Sequence, residues 1–551
     1  MSNSVAELEG ADVLFVTGGN PHVAHPVIGT FLTGAKKKGT KIINVDPRVI
    51  QTSRLSDIHL QIDCGTDIPL INGMIHHIIK NDLHDKKFIE ERTKKFDELW
   101  EAIKEYTPER ASELTGVPVE DICNAAEMYA KGPKSAIVWG MGIAQRANAV
   151  ETVWSLANLA MVCGMIGKES TGLNPLRGQN NVQGACDMAC LPHFLPGYKV
   201  FDEDFARVVA GIAGTDADAA VKNAKADRER FEKAWGVSLN PKHGLTELEM
   251  TDKAGTGEVK CMYIVGADPV IANPDSNKVI ADLKNLDFFV VQELFMTETA
   301  KMADVVLPGC SIAEQYGTVV NTERRIQMVR PAIKPIGNSR PDYEIIIDLM
   351  SRFGYENNMS SAEDVMKEIS KMLPQYAGVS YEKIQRNDSR YKGVRWPIAA
   401  DAEEGTKFLH GAGFPVGQAE FKPAQYSPIK EPPCSDYPLV LVTIRDMYHY
   451  DNLEMTGKTK GLMELDPYGM LDINPEDAKK YNLTDGDKVT IRSRRGEATA
   501  VTRITDTVKP GNVFSNFHHP GTHINMVTTS AMDPIAAEPE LKACAVQISK
   551  A

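Results

Sequence analysis

One pattern occurs twice in this chain, and the repeat limits the folds open to it. The first copy begins with a short apolar run at 12–17, followed by Gly18-Gly19-Asn20-Pro21. A stretch with apolar residues at Val27, Ile28, Phe31 and Leu32 comes next, then a second apolar run at 41–45. The other copy has an apolar run at 260–265, then Gly266-Ala267-Asp268-Pro269, a helical pattern over 275–284, and an apolar run at 288–292. Each copy predicts strand, tight turn, helix and parallel strand, the right-handed crossover of nucleotide-binding α/β sheets. In the first copy, Lys36-Lys37-Lys38 suit a helix C-terminus and Gly39 suits its stop. Asp46-Pro47-Arg48 follows the second strand, where an acidic residue either meets a nucleotide or merely caps the next turn. Only Gly18 and Gly19 are present, so the full dinucleotide fingerprint is absent. Two such units imply two α/β domains facing each other around one large or pseudo-symmetric ligand. Chance recurrence in a chain with 42 glycines and 31 prolines is the competing reading.

A further apolar run, 135–139, leads into Gly140-Met141-Gly142, again placing glycines where the carboxyl end of a strand is expected. Residues 69–130 read as helices of mixed charge, a solvated covering for one sheet face. Over 312–435, helical stretches at 343–353 and 362–372 alternate with loops, and the proline-containing segment 421–437 reads as a linker. Short strands follow at 437–444, 470–474, 488–493, 498–504 and 512–514. Asp485-Gly486-Asp487 and Arg495-Gly496 sit at tight turns between them, which predicts a compact β-barrel. The expected class is α/β, with two doubly wound nucleotide-binding-like domains at 1–179 and 180–311. A helical and linker segment at 312–435 and a C-terminal β-barrel domain at 436–551 complete the expected order.

At 551 residues the chain is too long for a single core. Its formal charge of -13 argues against a general binder of nucleic acid or anionic membranes. No apolar run approaches the roughly 20 residues needed to span a bilayer. Residues 1–9 have neither the basic region nor the apolar core of a signal peptide. The nine cysteines are scattered singly, as in a reduced protein, and the expected location is cytoplasmic. Cys186 and Cys190 are four apart, with no second pair at metal-ligand spacing. His518, His519 and His523 also lack the usual zinc spacing, so a zinc site is discounted in both places.

The stretch 176–188 crowds side-chain amides around one arginine: Leu-Arg177-Gly-Gln179-Asn-Asn-Val-Gln183-Gly-Ala-Cys186-Asp187-Met. A guanidinium beside several amides can grip a small anion and the polar edges of a heterocycle. A polar loop or helix start that satisfies its own backbone is the alternative.

With these pieces in place, the chain resembles the molybdopterin oxidoreductases that carry a bis(guanine dinucleotide) cofactor, and among them the catalytic alpha subunits of formate dehydrogenases. The resemblance runs the whole length. It rests on Gly18–Pro21, Asp46-Pro47-Arg48, Trp139–Gly142, Arg177–Gln183, Gly266–Pro269 and Gln292-Glu293. It continues through Ala303–Pro308, Gly317–Arg324, Arg445-x-x-x-His449 and Pro539–Lys542. It implies that each α/β domain binds one guanine dinucleotide, with Gly18, Asn20, Arg48, Gly140, Gly142, Gly266 and Gln292 around it. Asp46 and Asp268 would be matching acidic positions at its ribose or guanine. Gln145 and Gln179 would lie near the pterins, while Arg445, His449, Asn525 and Lys542 would close over the cofactor from a double-psi type barrel. Arg177 would orient the formate carboxylate beside molybdenum or tungsten.

The family's iron–sulfur (4Fe–4S) segment and its selenocysteine or cysteine metal ligand match positions upstream of Met1. The resemblance therefore implies a start set by a misread selenocysteine codon, or a fragment assembled with a separate polypeptide. The chain alone is then expected to be inactive, with no metal ligand of its own. Electrons would pass through an iron–sulfur and flavin beta subunit, within a larger electron-transfer complex, to F420 or NAD. Another oxyanion substrate and a non-catalytic scaffold remain the alternatives.

Overall fold

The computed structural model describes residues 1–387 and 393–551; residues 388–392, inside the expected 312–435 segment, lie outside the described residues. Five parallel strands form the first sheet: β1 (Val13–Thr17), β2 (Lys41–Val45), β3 (Ile58–Leu60), β4 (Ser135–Trp139) and β5 (Gly172–Pro175). Their order is β3-β2-β1-β4-β5, so the winding direction reverses between β1 and β4. Both faces are covered. Leu14, Val16, Phe31, Leu32, Ala136 and Val138 pack on one side, and Phe15, Val45, Ile71, Met74 and Ile137 on the other. The helix Pro26–Lys37 buries Ile28, Phe31, Leu32 and Ala35, and Gly39 (φ +102°) ends it in a conformation open to glycine.

The helices over 69–130 depart from the expected solvated layer. Asp67–Lys80 is buried on nearly every side, including Leu70, Ile71, Asn72, Met74, Ile75 and Ile78. It lies against the helices Pro108–Thr115 and Val119–Lys131, which carry charges of both signs. Mixed charge averaged over several helices conceals one that is apolar all round.

The second α/β unit has β6 (Cys261–Val265), β7 (Phe288–Glu293) and β8 (Val305–Pro308), parallel and in the order β8-β7-β6. Val270, Ile271, Val279, Leu283, Phe289 and Val291 cover one face. On the strands Tyr263, Val265 and Phe288 remain exposed, so this sheet is not wound on both faces as expected. The helix Ser276–Leu283 and the turn before it bury their apolar residues against one face, while alternate strand residues on the other stay exposed.

The barrel closes with six strands: β9 (Leu439–Ile444), β10 (Met470–Ile473), β11 (Lys488–Arg492), β12 (Glu497–Ile504), β13 (Asn512–Asn516) and β14 (Cys544–Lys550). Around the ring they run β9-β13-β10-β12-β11-β14. Leu441, Leu471, Ile473, Val489, Ile491, Val513 and Val546 fill it. β14, absent from the sequence-based strand set, pairs with both β9 and β11 and closes the ring. The segment 421–437 is not a free linker. Phe421 is buried, Asn158 Nδ2 donates to Lys422 O at 2.7 Å, and Asn72 Nδ2 donates to Ala424 O at 2.9 Å. Prolines that bar a helix are compatible with an extended strap whose carbonyls are met by buried amides.

Candidate active site

A large cleft opens at the carboxyl ends of β1 and β4, where the strand order reverses and α/β sheets place their ligands. Gly18 (φ +54°) and Gly142 bring two turns into contact, and Gly142 N donates to Gly18 O at 2.8 Å. A Cβ on Gly142 would stand 2.7 Å from that oxygen. Gly142→Ala is therefore expected to cost about 2–3 kcal/mol through overpacking. Chemical denaturation checks this: the midpoint should fall with an unchanged slope.

The barrel supplies the opposite wall, with Thr443, Arg445, Phe514, Phe517 and Lys542. The space between protein atoms is about 1460 Å³, its open mouth included. Three cations converge on it. Lys542 shows part of its surface to the cleft but sits deep within it. Burial, then the charges of Arg445 and Arg48, push its ammonium down to about 7. Its Nζ donates to Thr443 O at 2.7 Å and to Thr443 Oγ1 at 3.1 Å. Arg48 lies over the Phe514 ring at 5.0 Å and Arg445 over Phe517 at 4.9 Å. Among the described residues none of the three forms an ion pair with a carboxylate. Asp46 is on the same wall, pushed up to about 6 by burial against the pull of Arg48, whose backbone N donates to its Oδ1 at 2.9 Å. Asn20 Oδ1 is buried there without a partner. A wall of unpaired cations with an orphaned amide oxygen is built for an anionic, polar ligand.

Gly266, Asp268 and Gln292 line a second cleft with Glu293, Asp342, Asp451 and Glu454, and Asp451 also lines the first. This cleft is acidic. Burial, with Asp451 and Asp268 nearby, pushes Glu454 up to about 7. Asp268 Oδ1 accepts from Thr299 N at 3.0 Å, and Gln292 Nε2 donates to Asp342 Oδ1 at 2.6 Å.

The repeat is exact in its turn: Gly18 N donates to Val45 O, and Gly266 N donates to Gln292 O. That register aligns Asp46 with Glu293, and Asp268 with Asn20. Asp46 thus follows the second strand of its unit and Asp268 the first strand of the other, and the two acids sit at different points of the repeat.

Of the residues singled out in sequence, Gly18, Asn20, Asp46, Arg48, Gly140, Gly142, Gln145, Gln179, Arg445, Asn525 and Lys542 line the first cleft. Asn525 Nδ2 donates to Ile271 O at 2.8 Å, tying the barrel to the second α/β unit. His449 lines neither cleft. It is buried, with Nε2 on Asp466 O at 2.7 Å and Nδ1 on Thr456 Oγ1 at 3.2 Å, because its loop turns it into the barrel wall.

Arg177 stands beside the first cleft rather than on its lining. Its backbone N donates to Thr322 Oγ1 at 3.1 Å, its carbonyl accepts from His25 Nε2 at 2.6 Å, and its guanidinium lies by Cys186. Among the described residues it has no carboxylate partner. The rest of its stretch is firmly held. Gln179 Nε2 donates to Asp451 Oδ1 at 3.3 Å, and the short helix Val182–Asp187 ends on a fully buried carboxylate. Asp187 accepts from Gln183, Tyr198, Tyr376 and Trp396, all within 3.0 Å. Sequence reasoning missed Asp451, Glu454 and the buried Arg146, which pairs with Asp67 at 3.7 Å and Glu540 at 3.4 Å. Only the dense polarity after His449 hinted at the first two.

Residues 1–352 match the family described as Molybdopterin oxidoreductase. The chain belongs to the molybdopterin oxidoreductase family. Residues 439–545 match the Molydopterin dinucleotide binding domain. The F420-dependent formate dehydrogenase subunit alpha of Methanocaldococcus jannaschii is 43% identical over 554 residues, covering 100% of this chain and 78% of the relative. Formate dehydrogenase H of Escherichia coli is 36% identical over 554 residues, covering 100% of this chain and 74% of the relative. Acetylene hydratase from Pelobacter acetylenicus shares the fold, with a TM-score of 0.75 at 20% identity, over 99% of this chain and 81% of its own. This molybdopterin oxidoreductase takes a molybdopterin dinucleotide, and the cationic wall of Arg48, Arg445 and Lys542 with the free Asn20 oxygen fits a phosphate-bearing group of that kind. No helix among the described residues is long and apolar enough to cross a membrane.

Proposed function

We propose that this molybdopterin oxidoreductase oxidises formate to carbon dioxide and holds a bis(guanine dinucleotide) cofactor across its two clefts. The observation that carries this reading is the Arg177 loop. A guanidinium without a carboxylate partner stands beside the first cleft, on a loop whose neighbour Gln179 lines that cleft. Its planar fork matches a carboxylate at two oxygens and stays charged in a buried site. Relatives named as formate dehydrogenases, similar over the full chain, support the substrate.

In this reading the glycine turns at 18–19 and 140–142 let a pyrophosphate approach the backbone, and Arg48, Arg445 and Lys542 neutralise it. Gln145 and Gln179 meet a pterin edge. The second cleft takes the other half at Gly266, with Asp268, Glu293 and Gln292 offering acceptors to the N–H edge of a guanine. When bound, the group supplies molybdenum or tungsten as a two-electron acceptor. Arg177 fixes the substrate's oxygens in line for reaction. Electrons leave through a partner iron–sulfur flavoprotein to F420 or NAD. The relatives named as F420-dependent, at 40–43% identity, favour F420.

The test uses protein made in a host that assembles the cofactor, in the full length its gene encodes. Carbon-13 formate should yield labelled carbon dioxide with a dye acceptor, and nitrate should give no turnover. Metal analysis and pterin extraction are run on the same sample. Protein without either would point to a scaffold and sink the enzymatic reading.

A further inference from the structure

Two histidines and an aspartate lie against the barrel wall, outside both clefts. His449, Asp466 and His519 offer ligand atoms that all stand within 4.8 Å of one another. Each residue is at least nine-tenths buried. His449 Nε2 is 3.7 Å from Asp466 Oδ2, and His519 Nε2 is 3.6 Å from Asp466 Oδ1. These separations are too long for hydrogen bonds. Ligands around one ion with bonds of about 2.0–2.2 Å stand somewhat closer together, so the three side chains would draw in on binding. Two of the atoms, His519 Nε2 and Asp466 Oδ2, are buried with no hydrogen-bond partner. Such orphaned groups are costly unless something unseen satisfies them.

We propose that His449, Asp466 and His519 bind a divalent zinc-like cation, with a fourth position left to water. Two neutral imidazoles and one carboxylate are a borderline donor set suited to Zn²⁺. Thr456 Oγ1, 3.2 Å from His449 Nδ1, can accept a hydrogen bond from Nδ1–H and so leave the Nε2 lone pair free to ligate. Nε2 then exchanges its present contact with Asp466 O for the ion. The other histidines first considered for zinc do not take part. His518 accepts from Asp446 N and lies on Asp451 O, and His523 lies on Val270 O. Asp466 also lines a groove with Asp446, Asp472 and Arg503, which gives an ion a route in from solvent.

The ion would fasten the loop between His449 and Asp466 to the chain just after β13. That loop carries Asp451 and Glu454 to the clefts, so the ion would hold part of their wall in place.

The test uses the full chain as isolated, stripped with a chelator and dialysed against Zn²⁺. One zinc per chain is expected. His519→Gln and Asp466→Asn should each weaken binding by more than about 10–100-fold, the range for losing a mere outer-shell partner. Hydrogen exchange over 446–466 should slow with zinc in the wild type and not in the variants. Zinc-edge X-ray absorption on the wild type needs no variant, and should show two imidazoles with nitrogen and oxygen at about 2.0–2.2 Å. Absence of binding, equal binding by both variants, or sulfur ligation by any of the nine cysteines would overturn the proposal.

Discussion

Lys542→Met should raise the melting temperature of the cofactor-free protein and, in the same variant, weaken its hold on the cofactor. The two effects have one cause. Lys542 lies deep in the cleft beside Arg445 and Arg48, and its ammonium is pushed down to about 7. A lysine with a depressed pKa binds fewer protons folded than unfolded over the window from about 7 to 10.5. The cofactor-free protein therefore gains stability as pH rises through that window. Methionine removes this slope. At about 1.4 kcal/mol per pKa unit, reduced because the side chain partly faces cleft water, the gain near neutral pH is about 2–4 kcal/mol. With an anionic group in place the sign reverses. A lost charge-assisted hydrogen bond weakens binding by about 1.5–3 kcal/mol, roughly 10–100-fold. Differential scanning calorimetry of cofactor-free samples and pterin content after dialysis read the two effects separately. A lower melting temperature in the cofactor-free variant would falsify the account.

Arg177→Lys should lower kcat/KM for formate by about 100–1000-fold, the size seen when one preorganised donor is lost from a reacting site. The charge survives in lysine, but the two-pronged fork does not. Because the Arg177 backbone is held by Thr322 and His25, and Asp187 anchors the far end of its loop, the fold should tolerate the change. Cofactor content and melting temperature should remain near wild type. If both fall along with turnover, Arg177 is a structural group and the proposed substrate anchor is wrong.

The glycine turns could be read from the sequence because their need is local: a tight turn after a strand, and a backbone that must come close. The barrel's first five strands could be read for a similar reason, as apolar runs between turn residues. β14 was harder, since Cys544-Ala-Val-Gln-Ile-Ser-Lys550 alternates weakly and only its pairing with β9 and β11 makes it a strand. The strap at 421–437 was misread because Asn72 and Asn158, which hold its carbonyls, lie far away in sequence. Nor could spacing reveal His449, Asp466 and His519 as a cluster, since two separate connections of the barrel, β9 to β10 and β13 to β14, bring them together. The pairing of Asp46 with Glu293 needed strand register, which residue type alone does not carry.

The first cleft draws its walls from distant parts of the chain: Gly18 and Lys542 are more than five hundred positions apart. Closing so long a loop carries an entropic cost and comes late in folding. During synthesis the glycine cradle emerges early and waits, uncovered, until the last strands of the barrel leave the ribosome. A ligand lodged between cradle and barrel then acts as a rivet joining an earlier-made and a later-made part of the molecule. Its occupancy should stabilise the glycine cradle and the barrel together against unfolding.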